Sequence, residues 1–559
     1  MPRGRRPLIP SPYRTYVQVR RSAVTSLLVL SAVAAGTSAC VGQAGSAAIA
    51  TTPRPESAVT HLPASATSVL TDTAADVLAA EVARQLFATA PVVVVASPQR
   101  PAELAIAASR ARHAGAPLLL TAVQTGSQAG AVSTGAVSTG AVSAGAVSAG
   151  AVSAGAVSAG AAATTSAALR AEVDDLHPRA VLAVGVTEKA VAAQLPGTHV
   201  VTNPSQLPAT RAPIPLDHVV LLEHPDQFDA TTAAVATTAE VAGATVIPVR
   251  GDDPRADATA ITALSAAQPQ EVLAIGASFG PAERLASRVA TAATGVQLPG
   301  GGQVVFPGHR LVALYGHPGA PALGALGQQD LSASIARAMR VAASYRRLSK
   351  VPVIPAFEII ATVALSGPGR NGDYSGESGV ASLRPWVERA TVAGMYVVLD
   401  LQPGRANLLA QAKVYASLLR LPNVGLALDA EWKLNPGQVP LQQIGSVDVT
   451  EVNSVVRWLA DLTAEHHLPQ KMLVLHQFRL SMIRDEQDLD TSHDDLAIVI
   501  HMDGQGGPDM KQRTWNAVTK AAPHGVFFGW KNFYAMDHPT MSPDETMAKT
   551  PTPVVITYQ

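Results

Sequence analysis

The chain has 559 residues, more than one hydrophobic core supports, so two or three domains are expected. Its charge is balanced at a formal −1, without the basic footprint of a nucleic-acid-binding protein. Only 15% of residues are charged and alanine is abundant, which suits α/β layers with close helix–sheet contacts.

Six arginines (Arg3, Arg5, Arg6, Arg14, Arg20 and Arg21) precede the apolar stretch "SAVTSLLVLSAVAAG", which ends in "TSAC". A basic start, an apolar middle and a small-residue end make residues 1–39 an export signal. The apolar run is too short for a comfortable membrane span. Cys40 is the one cysteine of the chain, so no intramolecular disulfide forms. "GTSAC" resembles the lipobox of bacterial lipoproteins, with Ala39 before the cysteine and Thr37 where that family usually has leucine. The resemblance implies a lipid on Cys40 and a protein anchored to the cell membrane, facing the wall. Residues 40–67, rich in Pro, Ser, Thr and Ala, read as a flexible tether.

From about Ser68, short β-branched runs alternate with alanine-rich segments. "PVVVVAS" and "APLLLT" read as buried strands around the helix "PAELAIAASRARHAG"; "ALRAEVDDLHP", "AVLAVG" and "TEKAVAAQL" continue the pattern. Strands alternating with helices at this spacing predict a parallel sheet covered on both faces. The programme recurs from "HVVLLEHP" to "EVLAIGASFGPAERLASRV", an internal duplication, so residues 68–295 are expected to be Rossmann-like. Within the first unit, residues 130–159 repeat GAVST twice and GAVSA four times. Such a tract has too little apolar bulk to pack and reads as a surface loop.

The stretches "ASPQRPAELAIAASRARHAGAPLLLT" and "ALRAEVDDLHPRAVLAVGVTEKAVAAQL" resemble the cell-wall-binding repeat type 2 family. Glu103 stands where that family tends to have aspartate, Gly185 where it has a glycine pair, and the Arg/Thr signature opening each repeat is absent. The resemblance implies attachment to wall polymers.

Glycines and prolines in "GVQLPGGGQVVFPGHR" mark a boundary, and residues 308–559 form the next domain. Eight apolar runs follow: "RLVALYGHP", "PVIPAFEIIATVA", "YVVLDLQPGR", "VGLALDAEW", "KMLVLHQF", "LAIVIHMDG", "GVFFGWKNF" and "PVVITYQ". Most are separated by helix-like segments, which predicts a TIM-like (β/α)8 barrel. The last connection, "AMDHPTMSPDETMAKTPT", reads as a loop.

Chemistry in such a barrel sits at the C-terminal strand ends, where these runs turn polar. Four ends carry pairs at i, i+2 that share a side: Tyr315 and His317, Asp400 and Gln402, Asp429 and Glu431, His501 and Asp503. His476 with Gln477, Trp530 with Lys531, and Tyr558 add polar or aromatic ends, and Arg405 is placed to bind an anionic substrate. Trp432, Trp530, Tyr534 and Tyr315 are candidates to stack on sugar faces. Glu358 reads as a mid-strand acid paired to a buried base.

Carboxylates and aromatics around one mouth suit glycoside hydrolysis, in which one acid protonates the leaving oxygen and a second group stabilises or attacks the sugar. Asp429 beside Glu431 would raise the glutamate's pKa. "LALDAEW" also resembles the Asp-x-Glu strand end of chitinase-like and muramidase-type barrels. That resemblance implies Glu431 as catalytic acid and Asp429 as its helper, with Asp503 and Asp400 as further rim acids. His317, Asp400, His476, His501 and Asp503 offer enough ligand atoms for a divalent metal, but no His-x-His or His-Glu-x-x-His spacing appears. Neither a metal nor a cofactor is called for. The expected function is an exported, lipid-anchored hydrolase of a cell-envelope glycan; the alternative is a non-catalytic glycan-binding or scaffold lipoprotein using the same rim.

Overall fold

The computed structural model describes residues 54–121, 157–227 and 229–559. The export signal, Cys40 and nearly all of the pentapeptide tract lie outside these residues. Regular structure begins at Glu56, inside the stretch whose composition reads as a tether: Glu56–Ser57 pairs in parallel with Thr210–Arg211.

Eight parallel strands form the two main sheets of the N-terminal region: Thr67–Leu70 (β1), Val92–Ala96 (β2), Leu118–Leu120 (β3), Ala180–Val184 (β4), Val200–Val201 (β5), Val219–Glu223 (β6), Thr245–Pro248 (β7) and Glu271–Ile275 (β8). They sort into two sheets ordered β3-β2-β4-β5 and β7-β6-β8-β1. The helices between them are Ala75–Leu86 (α1), Pro101–Ala114 (α2), Val157–Leu176 (α3), Glu188–Gln194 (α4), Ala230–Ala242 (α5), Ala258–Ala267 (α6) and Ala282–Ala293 (α7). All five residues of β2 are buried, as a continuous β-branched run requires when helices cover both faces. The duplication is interlocked. β1 precedes the first sheet in sequence yet pairs with β8 in the second, from Thr67↔Val272 to Leu70↔Ile275. α1 then packs on α5, and one apolar core runs through both units.

All eight C-terminal runs are strands: Arg310–Gly316 (β9), Val353–Ala364 (β10), Tyr396–Leu401 (β11), Val424–Asp429 (β12), Lys471–Gln477 (β13), Leu496–Met502 (β14), Phe527–Asn532 (β15) and Val555–Tyr558 (β16). They are parallel, and the ring closes because β9 pairs with both β10 and β16. Around them lie Leu331–Tyr345 (α8), Val380–Val392 (α9), Leu408–Val414 (α10), Val449–Glu465 (α11), Pro508–Ala521 (α12) and Pro543–Met547 (α13). The connection that reads as a loop holds α13, started by a reciprocal Ser542/Glu545 capping box. The β13–β14 connection instead holds two 3-10 turns, Leu480–Met482 and Glu486–Asp488.

Strand alternation divides the barrel's side chains between two cores. Leu311, Ala313, Ile354, Ala356, Tyr396, Val398, Ala427, Met472, Val474, Ala497, Val499 and Val555 fill the lower interior. The Gly/Pro segment before β9 plugs the bottom, adding Leu298, Val305 and Phe306 to the same cluster. Near that plug an ion network ties the two regions together. Buried Arg255 meets Asp253 at 2.9 Å and Asp494 at 2.5 Å, and Arg288 reaches Asp494 at 2.7 Å. Asp494 lies just before β14, so the N-terminal region is fastened at the N-terminal face of the barrel and the opposite mouth is left to the loops.

Candidate functional site

Above the apolar layer the inward positions change character. Tyr315 (β9), Glu358 (β10), Asp400 (β11), Asp429 (β12), His476 (β13), His501 (β14) and Thr557 (β16) continue the inward phase of their strands, and all are buried. The eighth strand contributes Gly529 at this level. A Cβ there would lie 2.3 Å from His501 Cδ2, so the imidazole occupies the space a side chain would need.

His476 is the hub. Its Nε2–H donates to Glu358 Oε1 at 2.7 Å, and Nδ1 lies 3.2 Å from Asp503 Oδ2. Burial opposes a charge on the ring, but Glu358 and Asp503 outweigh it and hold the pKa well above the usual imidazole value. His476 is therefore an imidazolium between two carboxylates. His501 is its counterpart in the other sense: burial and the charges of His476 and Lys531 push its pKa well down, leaving a neutral ring whose Nε2 is 3.3 Å from Thr557 Oγ1. The pairing of Glu358 with a buried base is thus seen, and the base is His476.

The acids divide in the same way. Burial alone would push Asp503 up, but the hydrogen bond and charge of His476, with Lys531, hold it below the ordinary carboxylate range. Asp429 is pushed far up by burial and by the neighbouring Asp400. Burial also raises Asp400, to about 6, against the opposing charges of His476 and Lys531 and the hydrogen bond that Tyr315 donates to Oδ2 at 2.9 Å. Glu431 follows β12 in a 3-10 turn whose amide donates to Asp429 Oδ1 at 3.2 Å. Burial first and Asp503 second raise its pKa to about 7.

Over this layer opens a cavity of about 590 Å³. Tyr315, Gln402, Asp429, Glu431, Asp503 and Lys531 form its polar wall, and Trp432, Phe478 and Phe533 its aromatic wall. Lys531 Nζ lies 3.4 Å from the centroid of the Tyr315 ring. A second pocket, of about 350 Å³, shares Glu431, Trp432, Leu441 and Arg479 and extends the groove sideways. The rim loops are held by buried Asp537, which binds Lys511 and accepts from the amides of Gly506 and Phe533 at 2.9 Å each.

Other candidates lie elsewhere because adjacent strand residues face opposite sides. With His476 and Lys531 inward, Gln477 and Trp530 turn outward. Gln477 donates to Glu486 at 2.8 Å, and Trp530 packs on Trp515 with centroids 5.4 Å apart. Tyr558 shares an outer hydrogen bond with Tyr345 at 2.6 Å and stacks on Tyr534. Arg405 is engaged by the Gln438 carbonyl and the Tyr374 ring. His317 falls past the end of β9, where Nε2 contacts Ser378 Oγ at 3.1 Å. Conversely, Phe478, Arg479, Gln505 and Gln559 line the cavity without having drawn notice in the sequence. Phe478 and Gln559 had a signal, since each lies one residue past its strand and continues the inward phase of Val474 and His476 or of Val555 and Thr557.

Glu358, Asp400 and His476 place one ligand atom each within 4.8 Å of one another, a donor set that a divalent metal accepts. The same three groups also form a charge bridge, with His476 Nε2 at 2.7 Å from Glu358 and 3.9 Å from Asp400.

No family model matches the chain, and no curated protein sequence does either.

Proposed function

We propose that the barrel mouth hydrolyses a glycosidic bond in a cell-envelope glycan. One observation carries the reading: two carboxylates lining one cavity are driven to opposite protonation states. Glu431 is raised to about 7 and Asp503 is held below the ordinary range. Environments that separate two acids in this way assign them roles. Glu431 keeps the proton that the leaving oxygen needs, while ionised Asp503 faces the positive charge that develops on the sugar, or deprotonates water. Asp429, whose pKa burial and Asp400 push well up, accepts the Glu431 amide and steadies that turn. Trp432 and Phe478 offer apolar faces to sugar rings.

The test uses full-length protein with purified wall glycan. Reducing ends should be released, with kcat/KM falling as pH rises through about 7 because Glu431 then loses its proton. Co-sedimentation with the glycan and no release at any pH between 4 and 8 would leave a binding protein and sink hydrolysis.

The Arg-rich leader, the Cys40 context and the wall-repeat resemblance support an exported, lipid-anchored protein whose Rossmann-like region associates with wall polymers. Among the described residues no helix is long and apolar enough to cross a membrane. On the lipid-anchor reading, Cys40→Ser is expected to move the protein from the membrane fraction to the soluble one; unchanged fractionation would rule out the lipid anchor.

A further inference from the structure

The second N-terminal sheet ends in a crevice that the barrel site does not use. β8 runs into Gly276-Ala277-Ser278-Phe279-Gly280, a G-x-S-x-G sequence, and α7 begins at Ala282. Strand, turn and helix in this order form the setting in which such a sequence presents a serine hydroxyl above a sheet edge. Unlike the strained serine usual in that setting, Ser278 lies in a 3-10 turn, Ala277–Phe279, and the positive φ angles fall on the flanking Gly276 (117°) and Gly280 (79°).

Ser278 is exposed, and its Oγ lies 2.7 Å from Nε2 of His224. His224 directly follows β6, the strand paired with β8, so the sheet itself sets the two side by side. The His224 ring is buried and stacks on Phe279 with centroids 4.3 Å apart. The residue next to the serine therefore orients the base. Both border a cavity of about 340 Å³ that includes Thr71, Asp72 and Thr73 from the end of β1.

We propose that Ser278 and His224 are a nucleophile–base pair that cleaves a small acyl ester carried on a hydroxyl-rich alcohol. Oγ attacks the ester carbonyl carbon while its proton passes to Nε2. The tetrahedral oxyanion collapses, the bond to the alcohol oxygen breaks, and the imidazolium returns the proton to that oxygen. Water then attacks the Ser278 ester with His224 taking its proton; the proton returns to Oγ as the carboxylic acid leaves. The Thr71 and Thr73 hydroxyls are the nearby donors, and Asp72 suits the hydroxyls of the alcohol. No carboxylate hydrogen-bonds His224 among the described residues, so turnover is expected to be slow and covalent capture is the more direct readout.

Full-length protein is treated with a fluorophosphonate probe and, separately, with p-nitrophenyl acetate. Peptide mapping should find the phosphonate on Ser278. Ser278→Ala should abolish the label, and Ser278→Ala and His224→Gln should each slow acetate release at least ~100-fold. A label at another residue, or release by Ser278→Ala at the wild-type rate, overturns the proposal. Ser278 is exposed and alanine is smaller, so this variant decides the matter even if His224→Gln does not fold.

Discussion

Replacing Glu431 with glutamine is expected to cut reducing-end release by about 10²–10⁴-fold while leaving glycan sedimentation unchanged. Glutamine keeps the shape of the side chain and its place in the turn after β12, but has no proton to give. The loss should therefore fall on kcat and spare KM, the signature of an interaction made in the transition state. The cause of the raised pKa supplies a sharper test. Burial is the larger contribution and the charge of Asp503 the next. Asp503→Asn removes only the second, so the Glu431 titration, followed by carbon NMR of the labelled carboxyl, should move part of the way from about 7 toward the ordinary value of 4.5. A titration that stays at about 7 would mean that the two acids do not share the site in the way proposed.

His476→Leu is expected to destabilise the barrel by about 3–5 kcal/mol at pH 7, because removing one partner of a buried ion pair strands the others. Here two carboxylates are stranded, Glu358 and Asp503, and Glu358→Gln in the same chain should recover part of the loss. The same network sets how stability depends on pH. His476 is held above its ordinary 6.5, so its contribution is complete below that pH and drains away as pH climbs through the folded-state value. Asp400, raised from 3.8 to about 6, and Glu431, raised from 4.5 to about 7, act in the same direction, since the folded state binds more protons than the unfolded one across those windows. Asp503 runs the other way only as pH falls below about 3.8, and the neutral His501 opposes the trend up to its ordinary 6.5 without outweighing the several raised acids. Thermal unfolding should accordingly move to lower temperature from pH 5 to pH 8. A Tm that rises over that range would contradict the assigned protonation states.

The barrel was legible from the sequence because each strand is a short apolar run with a polar end, and a period of two needs nothing beyond neighbouring residues. The same local rule marked Tyr315, Asp400, Asp429, Glu431, His501 and Asp503. It could not choose between adjacent residues, so Trp530 was grouped with Lys531 and Gln477 with His476, although only one of each pair can face inward. That choice depends on which face each strand turns to the barrel axis, which closure of the ring decides. Glu358 likewise reads as a mid-strand acid paired to a buried base, but nothing local identifies that base. His476 stands 118 positions away, and only the ring of strands brings their side chains to 2.7 Å. The crossing of β1 into the second sheet was hidden for a similar reason: four residues, "TSVL", carry no mark of which sheet edge they will complete. The sequence by itself determined the barrel strands, most of the helices, the parallel sheets and the acidic strand ends, all of which follow from local pattern. Which acids hold protons was decided by tertiary structure alone, because burial and the distance to opposite charge exist only once the barrel has closed.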